Sequence, residues 1–265
     1  MHRSITTLWL IAHTEIFFPF LLIGLVLVAE LGLWLRRSSR SVDPGLQSVV
    51  ESARDGLGVL LSLLLGFSLP MALPHYEQRV QLVADEANAI STVVQRAQML
   101  PEPYRDRILQ PLGEYVDARL EFADADLDGP AMDASVHHAK RLQNEIWQQT
   151  VPLVQGNINQ VSPTFVQAVG ALSDMIEQRQ AAAEKHIPTA IWIVLILISA
   201  LTCFVVGYSM RMRVVLGILV LPLAVATILS LVSELDNPRA GFVRISQQSM
   251  LRLQQDLKAE AAPAR

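Results

Sequence analysis

The sequence predicts an all-α membrane protein, with four transmembrane helices and a helical extramembrane domain inserted between spans two and three. Of its 265 residues, 51% are hydrophobic and only 17% are charged, whereas about a quarter are charged in an average soluble domain. The apolar residues are concentrated in four blocks of about 20 residues, the length that a helix needs to cross a bilayer. Between blocks two and three, no stretch alternates with the period of two typical of strands.

The first block, residues 16–35, predicts a retained membrane anchor. Glu15 and Glu30 bracket its core, and Arg36 and Arg37 follow it, which is unlike the uninterrupted apolar core of a cleaved signal peptide. We expect Glu30 to lie at the membrane interface beside these arginines. A functional role inside the membrane is the alternative, because ionisable groups within spans are rare and costly.

The second block covers residues 56–73, and the third and fourth cover residues 187–210 and 214–235. Pro70 and Pro74 each lack a backbone donor, so we expect a kink or a break where the second span ends. Only three residues separate blocks three and four, which predicts a tight hairpin. The predicted organisation is an N-terminal tail with spans one and two (1–74), a helical extramembrane domain (75–186), a transmembrane hairpin (187–235) and a C-terminal tail (236–265).

Within the extramembrane domain, apolar periodicity predicts helices over residues 76–100, 104–125, 132–150 and 162–184. The first grows out of the second span, and the last runs straight into the third span through Pro188. A turn is expected at residues 126–130 and a loop at residues 156–159.

Orientation follows from the basic residues of the short loops. They are Arg36, Arg37, Arg40 and Arg54 between spans one and two, and Arg211 and Arg213 between spans three and four. Such residues favour the cytoplasmic side. This count places the extramembrane domain and both termini on the outer face.

The sequence lacks the usual signs of catalysis or nucleic-acid binding. The net charge of −4 gives no excess of basic residues of the kind that binds nucleic acid. No phosphate-binding, zinc-protease or Cys-x-x-Cys motif occurs, and Cys203 is the only cysteine. The adjacent His137 and His138 point about 100° apart on a helix, which favours a solvated pair over a metal site. We therefore expect neither an enzyme nor a bound cofactor, apart from the cation considered below.

Two parallel rows of side chains distinguish the second span. The small-residue stripe, Gly58, Ser62 and Gly66, continues into Pro70 and Pro74 and predicts a contact with another helix. The ladder, formed by Val59, Leu63 and Phe67, has the same spacing and could line an oligomer axis as an apolar neck. Ordinary packing or lipid contact is the alternative for both rows.

Polar residues near the ends of the spans supply the remaining candidates. Glu234, Asp236 and Asn237 end the fourth span with oxygen ligands of the kind that Ca²⁺ prefers, and a simple helix stop is the alternative. Glu86 and Asn88 lie on the first extramembrane helix, where we expect them to be solvated or structural.

Several short segments resemble a bacterial family usually called the bestrophin-like domain, over about residues 57–257. They are Leu64-Leu65-Gly66-Phe67-Ser68, Tyr76-x-x-Arg79, Glu86-Ala87-Asn88-Ala89-Ile90, Arg96-Ala97-x-x-Leu100-Pro101, Leu235-Asp236-Asn237-Pro238-x-x-Gly241 and Leu251-x-Leu253. The resemblance singles out Tyr76, Arg79, Glu86 and Asn88 as signature polar residues. It also implies a bacterial inner membrane as the location.

Bestrophins are oligomeric anion channels with four spans per subunit, and an apolar ladder on their second span narrows the pore. The resemblance implies the same role for Val59, Leu63 and Phe67, and a homo-oligomer, with a pentamer as one arrangement. It further implies a Ca²⁺ clasp at Asp236, although the acidic run expected after Gly241 is replaced by Phe242-Val243-Arg244-Ile245. Bestrophins keep their large domain in the cytoplasm, opposite to the side that the arginine count predicts.

The resulting functional hypothesis is an oligomeric ion channel with an apolar neck on the second span. Its expected partners are the lipid bilayer, ions and further copies of the chain, and not nucleic acid. The alternative is a non-conducting membrane scaffold or sensor whose extramembrane helices bind a partner or ligand.

Overall fold

The computed structural model describes residues 14–38, 44–124, 130–155, 161–210, 212, 215–237 and 243–261. Every regular element in these ranges is an α-helix. The helices are α1 (Thr14–Ser38), α2 (Pro44–Ala97), α3 (Tyr104–Asp124), α4 (Pro130–Gln155), α5 (Val161–Glu184), α6 (Thr189–Ser209), α7 (Val215–Asp236) and α8 (Gln248–Ala261). The predicted turn at residues 126–130 falls largely outside the described residues, as do the loop at 156–159 and Arg40, Arg211 and Arg213.

Four helical segments are long and apolar enough to cross a membrane. They overlap the four blocks predicted from the sequence. One lies in α1, one in α2, one extends over α5 and α6, and one lies in α7. The all-helical class and the number of spans are therefore confirmed. The protein is an integral membrane protein.

Helix α2 continues unbroken for 54 residues through Pro70 and Pro74, so the break expected there does not occur, and the kink stays a prediction. A proline removes one backbone hydrogen bond, but the turns on either side keep theirs, and spanning helices tolerate such losses. The two prolines therefore do not end the helix, and α2 contributes its first part to one compact unit and its last part to another.

A second expectation, that the last extramembrane helix runs straight into the third span, is also wrong. Helix α5 ends at Glu184, and residues 185–188 are not helical before α6 begins at Thr189. Pro188 disfavours the helical conformation at Ile187. The Ile187 backbone N–H instead donates a hydrogen bond to the Asp236 carboxylate, with 3.0 Å between the nitrogen and Oδ1.

The first unit comprises Met1–Tyr76 and His186–Arg244. Helix α1 packs against both α6 and α7. The approach of α1 to α6 is unusually close, since a Cβ added to Gly32 would overlap the Phe204 carbonyl oxygen and one added to Gly207 would overlap that of Ala29. Glycine at both positions lets the two backbones touch, as small residues do between membrane helices.

The second unit comprises Glu77–Lys185 and Ile245–Arg265. Its core includes Ile90, Ile108 and Phe165, which are fully buried. The region that the sequence assigned to a C-terminal tail contains helix α8, whose Met250 belongs to this core. Helix α8 packs against α3.

Candidate functional site

The spanning part of α2 presents one stripe of residues to the core of its own unit. Leu61, Leu65, Ser68 and Ala72 are all buried, at the spacing of one helix face. The Ser68 hydroxyl donates to the Leu65 carbonyl oxygen at 2.7 Å, so this polar group is satisfied within its own helix. The buried stripe fixes which sides of α2 remain free for contacts outside the chain.

The ladder lies on the side of α2 opposite the buried stripe. Val59, Leu63 and Phe67 are 71%, 55% and 60% exposed. At about 100° per residue, Leu63 points away from the direction of Leu61 and Leu65. The three apolar side chains therefore form a continuous row that no other helix of the same chain covers in the described structure.

The small-residue stripe lies about 100° from the ladder around the helix. A Cβ added to Gly58 or Gly66 would meet nothing within 4 Å. The Ser62 hydroxyl donates to the Gly58 carbonyl oxygen at 2.8 Å. Within the described residues of one chain, the stripe makes no close helix contact, so a contact between copies stays a prediction.

A groove of about 500 Å³ runs beside this stripe within the first unit. Gly58, Val59 and Ser62 of α2 line it together with Thr202 and Val206 of α6 and Leu221 of α7. Arg54 and Asp55 lie at one end and form an ion pair at 2.9 Å. The groove is thus largely apolar, with a charge-balanced end.

Asp236, at the end of α7, lies beside one backbone N–H donor and two histidine side chains. Its Oδ1 and Oδ2 lie 3.0 and 3.2 Å from the Ile187 backbone nitrogen. The Nδ1 atoms of His75 and His186 lie 3.7 and 3.8 Å from the two oxygens. The carboxylate therefore holds the segment just before α6 against the end of α7, and it lies near His75 on α2.

Ca²⁺ takes six to eight oxygen ligands, whereas the described neighbours of the Asp236 carboxylate are a backbone N–H and two imidazoles. Glu234 is buried and Asn237 is half-buried, but in the described part of the chain no three His, Cys, Asp or Glu side chains are grouped to hold a metal ion. Pro238 and Gly241, which complete the signature, lie outside the described residues. Calcium binding at this helix end therefore stays a prediction.

Tyr76 and Arg79 have structural partners. The Tyr76 hydroxyl donates to the Arg244 carbonyl oxygen at 3.4 Å. The buried Arg79 guanidinium donates to the carbonyl oxygens of Ala182 and Lys185, at 3.0 and 2.6 Å. Since the last carbonyls of a helix lack helical donors, Arg79 caps the C-terminal end of α5.

Glu86 is the centre of a charged cluster in the second unit. Its fully buried carboxylate accepts hydrogen bonds from the Tyr115 hydroxyl and from Arg179. The Arg119 Nε lies 3.3 Å from Oε1 and its Nη2 lies 3.4 Å from Oε2. One carboxylate thus links α2 to two residues of α3 and to one of α5.

The cluster shifts the pKa of its members. Burial by itself would raise the pKa of Glu86, but the positive charges of Arg119 and Arg179 and the hydrogen bonds of Tyr115 and Arg179 outweigh it, so the pKa is lowered. Burial and the charge of Glu86 raise the pKa of Tyr115. At neutral pH the cluster therefore holds an ionised glutamate and a protonated tyrosine.

Of the two outcomes expected for Glu86, the structural one holds and the solvated one is wrong, whereas Asn88 is exposed. Sequence reasoning did not single out Tyr115, Arg119 or Arg179. The available signal was the spacing of four between Tyr115 and Arg119, which places both on one face of α3. Nothing local identifies Arg179, which lies 93 residues from Glu86.

The four spans and the helical unit built around Glu86 define a helical integral membrane protein. The family model described as "Bestrophin-like domain" matches residues 23–250. The chain therefore belongs to the bestrophin-like family, and the resemblance noted in its sequence is confirmed.

Solved structures share the fold. A bacterial bestrophin homologue from Klebsiella pneumoniae has 15% sequence identity and a TM-score of 0.65, covering 91% of this chain and 97% of the other. A variant of that homologue also has 15% identity and a TM-score of 0.65, with 91% and 98% covered. The crystal structure of a membrane protein with a proline-to-alanine substitution has 16% identity and a TM-score of 0.64, covering 91% of this chain and 97% of the other. No curated protein matches the chain.

Proposed function

We propose that the chain forms a homo-oligomeric ion channel whose α2 helices surround a central axis, with the ladder as its apolar neck. The observation that carries this proposal is the direction of the ladder. Val59, Leu63 and Phe67 point away from the core of their own chain, so copies arranged with their own cores outward would bring three apolar rings to the axis. Such a constriction gates by dewetting.

Membership of the bestrophin-like family supports the same proposal, because the bestrophins that the family resembles are anion channels. The likeness to the Klebsiella homologue supports the fold of the subunit. The bacterial inner membrane is the proposed location. Pentameric assembly and anion selectivity are the finer parts of the proposal, and each has its own measurement.

The central test is single-channel recording of the full-length protein in planar bilayers. Leu63→Ala and Phe67→Ala should each raise the conductance several-fold, because a smaller side chain widens and wets the neck. Leu197→Ala is the matched control, since Leu197 is 61% exposed on α6 and has no place at the proposed neck; it should leave the conductance unchanged. The reversal potential in a KCl gradient then gives the sign of the permeant ion.

The proposal fails if the reconstituted oligomer carries no current and both neck variants are equally silent. That result would favour the second class of function, a membrane scaffold or sensor whose extramembrane helices bind a partner. Native mass spectrometry of the same preparation counts the copies. A dimer would also exclude a ring around a central axis.

A further inference from the structure

The spanning part of α2 has two unlike flanks beside the ladder. On one side, Gly58 and Ser62 of the small-residue stripe line the groove, together with Val59 at the edge of the ladder. On the other side, about 80° from the ladder, lies what we name the convex flank, Leu60, Leu64 and Met71. Leu60 and Met71 are exposed and Leu64 is half-buried. The helix is therefore concave on one flank and convex on the other.

The two flanks occur at the same depth along the helix. Leu60 lies midway between Gly58 and Ser62 in the sequence, about 3 Å from each along the helix axis. In a cyclic oligomer the copies are related by rotation alone, so neighbouring chains meet at equal depth through two different patches. With the ladder facing the axis, the groove of one copy would face the convex flank of the next.

The chemistry of the groove suits an apolar side chain. The hydroxyls of Ser62 and Thr202 already donate to the carbonyl oxygens of Gly58 and Ile198, at 2.8 and 2.7 Å. Both hydroxyl donors are therefore already satisfied, and neither needs an acceptor on the side chain that enters the groove. Gly58 leaves space for a large side chain, since a Cβ there would meet nothing within 4 Å, and in lipid such close packing drives helix association.

The burial of the four spans also favours a protein occupant. Within one chain, 22% of the most apolar segment of α2 is buried, against 33%, 33% and 39% in the segments with the other spans. Helix α2 therefore has the least cover from its own chain. A second copy would supply that cover at the two flanks and would leave Leu63 and Phe67 of the ladder, which do not line the groove, uncovered.

We infer that this groove is a subunit interface and that Leu60 of a neighbouring copy occupies it. The inference rests on the proposed oligomeric pore and names the contact that would close its ring. Lipid chains are the competing occupant.

Disulfide cross-linking of the full-length protein in membranes tests the contact. The double variant Leu60→Cys with Ser62→Cys should give a series of covalent multimers on oxidation, because each copy then carries both halves of the contact. The two cysteines of one chain point to different sides of the helix and cannot pair with each other. Each single variant, and the control pair Leu197→Cys with Ser62→Cys, should stay monomeric on denaturing gels.

A second variant tests the groove without cysteines. Gly58→Leu should reduce the oligomer to smaller species in native mass spectrometry, because it fills the groove, and it should spare the folded chain, where a Cβ at this position meets nothing within 4 Å. Gly24→Leu is the control, since its position is equally open on α1. A conducting ring that gives no Leu60–Ser62 cross-link and tolerates Gly58→Leu overturns the inference but keeps the channel, whereas an absence of any oligomer overturns both.

Discussion

At the scale of single residues, Glu86 shows why one buried carboxylate can matter more than many surface ion pairs. Arg119 and Arg179 are mostly buried beside it, so each charge has lost most of its hydration. Removing one member of such a group leaves the others uncompensated and typically costs about 3–5 kcal/mol, whereas exposed pairs contribute about 0–1 kcal/mol. We therefore regard Glu86 as the residue that holds α2, α3 and α5 together.

Replacing Glu86 with glutamine should destabilise the protein by about 3 kcal/mol at neutral pH. The folded-state pKa of Glu86 lies below its ordinary value of 4.5. Its stabilisation is therefore complete above that ordinary value and is lost as the pH falls through the lowered folded-state pKa. Thermal unfolding of the detergent-solubilised protein at pH 7.5 and at acidic pH should show the difference between wild type and Glu86→Gln narrowing in acid.

Glu77→Gln is the control for this measurement, because Glu77 lies on the same helix and is exposed. It should unfold at nearly the wild-type temperature at both pH values. Equal unfolding temperatures for Glu86→Gln and Glu77→Gln at pH 7.5 would contradict the central role of Glu86.

At the scale of elements, the contact between α1 and α6 depends on the absence of side chains. Gly32 and Gly207 lie where the two backbones meet, and each faces backbone atoms of the other helix rather than a flexible side chain. Backbone atoms cannot move aside as a side-chain end can. The pair therefore sets the distance between the two helices.

Gly207→Ala should destabilise the protein by about 1–3 kcal/mol, as overpacking of a well-packed core does. The matched variant Gly24→Ala introduces the same methyl group into open space on α1. It should be neutral or slightly stabilising, because alanine favours a helix more than glycine does. Thermal unfolding of both variants gives the comparison, and equal effects would show that the close approach of α1 and α6 does not limit stability.

At the scale of the whole molecule, two lines of reasoning disagree about orientation. The arginines between the spans predict that the extramembrane helices lie outside the cell, whereas the resemblance to bestrophins implies a cytoplasmic domain. The disagreement concerns the direction of insertion and not the fold. Accessibility in intact cells decides between the two.

We expect Lys140→Cys, in the extramembrane helix α4, to react with a membrane-impermeant maleimide added to intact spheroplasts. Ser48→Cys, between the first two spans, should react only after permeabilisation. Both side chains are exposed, and the native Cys203 is buried, so the wild type provides the background. The reverse labelling pattern would place the domain in the cytoplasm, as in bestrophins.

Local patterns were enough to locate the spans and most helix ends. Hydropathy over about 20 residues needs no knowledge of partners, because the bilayer itself is the solvent for that segment. The same local reasoning wrongly allowed a break at Pro74, and at Pro188 it wrongly expected a continuous helix. At Pro74 the hydrogen bonds of the neighbouring turns keep the helix continuous. Next to Pro188, the carboxylate of the distant Asp236 accepts a hydrogen bond from the Ile187 backbone N–H, which lies outside any helix.

The sequence by itself determined the four spans, the helical class, the family and the relative positions of the ladder and the small-residue stripe around α2, because a helical period is a property of one segment. Only the tertiary structure decided that Leu61 and Leu65 face the core, which leaves the ladder exposed, and that Glu86 is buried between two arginines. Which face is covered depends on helices far away in the chain. No periodicity within a single segment records where those helices pack.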